Sequence, residues 1–173
     1  VGGAAPPPTD DDHITAERAD EAMATELEEL RARVTVLEDR EQIRRLIQDY
    51  RRTLDERDLR SYSELFAENG TWAGSIGEAT GPAAILTMMQ EHLEENPPAP
   101  GRTLFHLNTD PVIDVDGDRA TAYTFWVHLV RGEGDTPLLP TLGYYDDVLT
   151  KASGRWLFLR REARRHIPSS STS

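Results

Sequence analysis

The chain contains no cysteine. That excludes disulfides, thiolate nucleophiles and cysteine-ligated metals, and it removes any redox clue to compartment. Long apolar runs are missing too: nothing approaches the roughly 20 residues that cross a bilayer. The opening segment, VGGAAPPPTDDDH, has no basic stretch followed by an apolar one. No secretory signal is read there, and a cytoplasmic protein is the expectation. Positive charge is scarce: 19 Lys and Arg stand against 31 Asp and Glu, a formal net charge of −12. Nucleic-acid binding needs a basic face for the phosphates, so no nucleic-acid partner is expected. The same charge argues against an anionic membrane surface. No spacing of His, Asp and Glu resembles a zinc-binding helix, so no metal is expected. GEATG and GEGD lack the strand–glycine–helix context of a phosphate loop.

What is present suits one domain with tails. The chain has 173 residues, 38% of them hydrophobic, enough for a core. Residues 1–13 are rich in Gly, Pro and Asp and read as a disordered tail, as does SSSTS at residues 169–173. From about Thr15 to Leu54 there is no Pro or Gly, and Ala, Leu, Glu and Arg dominate, which predicts a helix. Met23, Leu27, Leu30, Val34 and Leu37 are spaced four, three, four, three, a short heptad seam. Ile43, Ile47, Tyr50 and Leu54 resume the pattern after a phase slip. Residues 14–36 therefore either pack on their own domain or form a leader helix, an oligomerisation arm for a homo-dimer or homo-trimer. The domain proper is placed at residues 37–168.

Asp58 reads as the N-cap of a second helix, DLRSYSELFA, with Leu59, Tyr62, Leu65 and Phe66 on its buried face. GTWAGSI reads as a short strand entered through Asn69-Gly70. Pro82 suits the first turn of a helix whose apolar side carries Ile85, Met88, Met89 and Leu93. Two hairpins follow. RTLFHLNTDPVIDV and RATAYTFWVHLV flank the turn DGD; LLPTLGYYDDVLTK and GRWLFLRREARRHI flank ASG. Strands this long imply bending around a cavity, with a bulge near Asp110-Pro111. The predicted class is α+β: a curved antiparallel sheet with the N-terminal helices on one face, plus the leader helix.

Several polar residues need a reason. Asp55 closes the long helix, where the partial negative charge of the C-terminus costs an acid roughly 0.3–1 kcal/mol. A cationic or N–H partner would offset this. Tyr50, about 140° around the helix, flanks it. His106 sits between apolar neighbours in a strand, with Asn108 on the same side. Such a His is either a core residue with one hydrogen-bond partner or a base. A carboxylate beside it would fix its tautomer and raise its basicity. Tyr145 and Asp147 share one strand face, and Arg161 and Arg165 another. His128, two residues after Trp126, faces either cavity or solvent. His13, His92 and His166 read as solvated. Trp72, Phe105, Tyr123, Trp126 and Tyr145 form either an aromatic wall for an apolar ligand or simply core.

These residues carry a family resemblance. LEDREQIRRLIQDYRRTLDERDLRSYSELFAENGTW, HLNTDPVIDVDGDRATA and GYYDDVLTKASGRWLFLRREARRHI, in this order, resemble the opening, middle and closing segments of the SnoaL-like family. That family belongs to the cone-shaped α+β superfamily of nuclear transport factor two, scytalone dehydratase and ketosteroid isomerase. The resemblance spans about Leu37 to Ile167. It implies that Asp55 pairs with His106, as in the dehydratase-like members. Tyr50 matches a Tyr five residues before that Asp in bile-acid dehydratases, and Arg161 or Arg165 matches an Arg used on the last strand. Asp110 stands where relatives often carry Asn. A second catalytic His has only His128 as a candidate.

The resulting expectation is a lyase or isomerase without cofactor, acting on a small apolar ring compound. His106 would be the base and Asp55 its partner. Tyr50 would donate to the substrate oxygen, and Arg161 or Arg165 would steady negative charge. Trp72, Phe105, Asn108, Tyr123, Trp126, His128 and Tyr145 would line the ligand site. Two other readings stand beside it: a non-catalytic binding or assembly module, and an epoxide hydrolase-like enzyme, for which Asp147 with Arg161 is a partial match.

Overall fold

A computed structural model describes residues 10–97 and 104–167. The chain divides into two compact units, residues 1–38 and 39–173. The first unit holds the early turns of α1 (Asp10–Glu56). Helix therefore begins inside the stretch expected to be tail. Residues 1–9, and the tail expected at 169–173, lie outside the described residues. Every residue of 20–38 is exposed. The heptad seam lies bare: Met23, Leu27, Leu30, Val34 and Leu37 keep 46–66% of their surface in water.

The second unit starts at Asp39, which is itself buried. Its Oδ1 accepts hydrogen bonds from Lys151 Nζ at 2.7 Å and Trp156 Nε1 at 2.8 Å. Burial works against its charge, but these two donors win, and the carboxyl stays below the usual range. Ile43, Leu46, Ile47, Tyr50 and Thr53 then form the buried stripe of α1, at helical spacing. α1 ends in a Schellman motif. Asp58 N–H bonds Thr53 C=O at 2.9 Å, Arg57 N–H bonds Leu54 C=O at 3.2 Å, and Arg57 between them is left-handed at φ 60°.

Asp58 then caps α2 (Leu59–Ser63), accepting from Ser61 N–H at 3.1 Å, as its position predicts. This helix is shorter than the sequence suggests. Leu65 lies beyond it, and Phe66 opens β1 (Phe66–Gly74) rather than ending a helix. β1 runs through Asn69-Gly70, which is therefore not an entry turn. A register shift against the last strand lies between Phe66 and Thr71. Gly70 belongs there: a Cβ would meet the Phe158 carbonyl oxygen at 2.5 Å. β2 (Gly77–Thr80), not anticipated, pairs back on β1. α3 (Pro82–Glu95) starts with Pro in its first turn and buries Ile85 and Met89.

The remaining strands are β3 (Leu104–Asn108), β4 (Val112–Asp116), β5 (Arg119–Arg131), β6 (Pro137–Ala152) and β7 (Arg155–Ile167). β3 and β4 pair one after the other with β5, separated at Thr109–Pro111 where a bulge is expected. The order is β2-β1-β7-β6-β5-β3, with β4 also on β5. The sheet is antiparallel except at one seam, because β1 runs parallel to β7. The ASG turn places Ser153 and Gly154 at φ 50° and 78°, the left-handed pair of a tight hairpin.

Alternation sorts the sheet into two faces. Ala120, Ala122, Thr124 and Trp126 of β5 point inward and are buried. Their neighbours Arg119, Thr121, Tyr123 and Phe125 point the other way. Tyr123 packs on Phe125 and Tyr144, with ring centroids 5.3 and 5.1 Å away, on this outer face.

Candidate active site

The inner face of the sheet and the helices enclose a cavity of about 510 Å³. The end of α1 supplies Tyr50, Leu54 and Asp55, and α2 supplies Tyr62. Trp72 comes from β1, Met89, His92 and Leu93 from α3, and His106 from β3. β5 and β6 add Trp126, His128 and Tyr145, and β7 adds Ala163 and Arg165.

Asp55 and His106, 51 residues apart, meet in this wall. His106 Nδ1 lies 2.6 Å from Asp55 Oδ1, and the two side chains are only 8% and 10% exposed. The His106 backbone N–H lies 3.3 Å from both carboxylate oxygens, and Arg51 Nη1 adds a contact at 3.4 Å. These donors offset the unfavourable placement of an acid at a helix C-end. The carboxylate holds a proton on Nδ1, so in the neutral ring Nε2 carries the lone pair on the far side.

His128 faces His106 across the β3–β5 pair, edge to face, with centroids 4.3 Å apart. Burial, and then repulsion from His106, lower its pKa to about 4 against the pull of Asp55. At neutral pH it is an uncharged imidazole.

The Tyr50 hydroxyl accepts two hydrogen bonds, from Trp72 Nε1 at 2.9 Å and from Tyr62 OH at 3.0 Å. Both acceptor positions of the phenol oxygen are filled, so its own proton is left to donate. Burial raises the pKa of Tyr62 and Tyr145 well above the ordinary tyrosine range, so both stay protonated donors. Trp126 Nε1 is buried with no partner among the described residues.

Arg161 and Arg165 take different places. Arg161 does not reach the cavity wall. It is fully buried, and its Nε and Nη2 bind Asp147 at 2.8 and 2.7 Å. Its guanidinium sits 4.0–4.2 Å from the ring centroids of Tyr50, Phe158 and Tyr145. Burial disfavours its charge, but Asp147 outweighs this and raises its pKa above the usual arginine range. Arg165, four residues on along the same face, does line the cavity.

Three further expectations need correction. Tyr123 lies on the outer face, because its register partners are Asp146 and Val112. Asn108 stands opposite Trp126 but is not part of the wall, and its amide atoms have no partner among the described residues. His92, read as solvated, is in the wall. Phe105 borders the cavity, yet its register with Leu129 places it among the outward positions and it is 48% exposed. Tyr62 and Arg57 were not anticipated as site residues. His92 was legible: it follows Ile85 by seven and Met89 by three, on the apolar face of α3. Among the described residues no group of three His, Asp or Glu is arranged to hold a metal. No helix among them is long and apolar enough to cross a membrane.

The family model for the SnoaL-like domain matches residues 35–162. The chain belongs to the SnoaL-like family. Solved structures agree on the fold. An NTF2-like protein with a cystatin-like fold from Novosphingobium aromaticivorans is 28% identical, at TM-score 0.68, over 82% of this chain and 91% of its own. A candidate scytalone dehydratase from the same organism is 24% identical, at TM-score 0.63, over 77% and 87%. The beta subunit of a candidate aromatic-ring-hydroxylating dioxygenase, also from that organism, is 16% identical, at TM-score 0.64, over 76% and 91%. Comparison with curated proteins finds no significant match.

Proposed function

We propose that this SnoaL-like domain is a cofactor-independent lyase or isomerase for a small, largely apolar ring compound. The carrying observation is the 2.6 Å His106–Asp55 contact in the wall of an aromatic-lined cavity. Nε2 of His106 removes a proton from the carbon beside a carbonyl, and Asp55 stabilises the resulting imidazolium. The carbonyl oxygen gains negative charge as the enolate forms, and the Tyr50 proton meets it. In dehydration the enolate then expels a β-hydroxyl, which takes the proton from His106 and leaves as water. In isomerisation His106 returns the proton to a different carbon. The likeness to a candidate scytalone dehydratase, and the Tyr50–Asp55 spacing resembling bile-acid dehydratases, favour the first. Arg161 commits Nε and Nη2 to Asp147, and neither residue lines the cavity, which disfavours the epoxide hydrolase reading, since that chemistry needs a water held by such a set in the cavity.

The test is proton exchange. The protein in deuterated water should exchange the α-hydrogens of β-tetralone, followed by proton NMR. His106→Ala and Asp55→Asn should each slow this about 10²- to 10⁴-fold with the melting temperature nearly unchanged. Binding of β-tetralone without exchange would instead support a binding module.

We further propose that the leader helix pairs in parallel with a second copy. Leu27 and Val34 take the a positions, and Met23, Leu30 and Leu37 take d; β-branched Val34 at a between Leu30 and Leu37 at d is the combination that favours two strands. In register, Glu26 of one helix meets Arg31 of the other, and Arg33 meets Glu38. All four of these side chains are exposed.

A further inference from the structure

We infer that the ligand of this cavity carries a carboxylate, held by Arg57 and Arg165. The inference rests on the reading of the cavity as a ligand site and adds the substrate class to it.

Arg57 occupies the left-handed position of the Schellman motif, where glycine is the common residue. The backbone bonds of that cap need no side chain. An arginine there accepts a steric cost that glycine would not incur. A cation near a helix C-terminus recovers part of that cost, and the residue lines the cavity. Arg51, Arg52 and Arg60 close by each contact an acid. Arg57 contacts none among the described residues.

The same contrast recurs on β7. Arg160 meets Glu78, Arg161 meets Asp147, and Arg164 meets Glu162. Arg165 has no acid among the described residues and lines the cavity. Its register partner is Gly143, where a Cβ would strike the Arg164 carbonyl and the Trp126 ring.

Acids outnumber basic residues by 31 to 19 in this chain, yet the wall reverses the balance. Asp55, the one carboxylate of the wall among the described residues, is committed to His106 and Arg51. Two guanidiniums, those of Arg57 and Arg165, remain without an acid among the described residues. A local positive field in an acidic protein selects an anion, and the planar guanidinium fork matches a carboxylate.

Naphthoate and the uncharged naphthylmethanol, titrated by calorimetry, test this. Naphthoate should bind at least roughly tenfold tighter, and its advantage should shrink as salt rises. Arg165→Gln should remove about tenfold of naphthoate affinity while leaving naphthylmethanol affinity unchanged. Arg57→Gly should do the same, with a melting temperature held or raised, because glycine suits the left-handed position. Equal binding of the two probes, or equal weakening of both by the variants, would overturn the carboxylate site. β-Tetralone is uncharged, so its exchange tests the base alone, and either result can fail while the other stands.

Discussion

His128 reports on the cavity directly. Its folded pKa of about 4 lies below the usual 6.5, because burial and His106 disfavour a second charge and Asp55 only partly compensates. The unfolded chain therefore takes a proton between pH 6.5 and 4 that the folded chain refuses. Stability from this group is intact above pH 6.5, falls as pH drops through that window, and levels near pH 4. Urea unfolding across the window should show a loss on the order of 1–2 kcal/mol, less than the full shift would give because the ring is partly exposed to solvent, and His128→Gln should lack it. Identical pH profiles for the two proteins would mean that His128 is solvated. Asp55 belongs to the same logic: a helix-terminal acid is locally unfavourable, and that misfit signals its partner. Tyr62 gave no such signal. It reads as an ordinary buried aromatic, and only its hydroxyl contact with Tyr50 gives it a role.

Between elements, the Arg161–Asp147 pair ties β7 to β6 and props up the tyrosines. Tyr50, Tyr145 and Phe158 surround the guanidinium closely enough for cation–π attraction, worth roughly 2 kcal/mol or more when desolvated. Removing one partner strands a buried charge. Asp147→Asn should lower stability by about 3–5 kcal/mol, read from chemical denaturation. Replacing both partners with apolar residues of similar volume should recover much of that loss. A small effect of the single substitution would show that the charge finds another partner. Alternation correctly put Arg161 and Arg165 on one face. It carries no information on depth, so it did not tell which of them meets the cavity.

At the scale of the molecule, the bare seam of the leader helix calls for a partner. Leu27→Glu with Leu30→Glu should lower the mass found by sedimentation to that of a single chain if the helix pairs copies. Unchanged mass would assign any assembly to another surface. The unfolding transition of residues 39–173 should stay the same, because these side chains lie in the separate compact unit.

Local chemistry settled much of this protein before any folding was considered. Pro82 starts a helix, Asp58 caps one, DGD and ASG turn the hairpins, and periodicity marks the stripe around Ile47 and Tyr50. All of these act within a few residues. Tertiary structure decided the rest. The parallel β1–β7 seam, the outward face of Tyr123 and the inward turn of His92 depend on register and packing across long separations. Register shifts between His128 and Val130 and between Leu142 and Gly143 reset the alternation from which facing is read. A side chain's face can be inferred from its neighbours in sequence, but what it touches depends on elements that reach it only when the chain closes on itself.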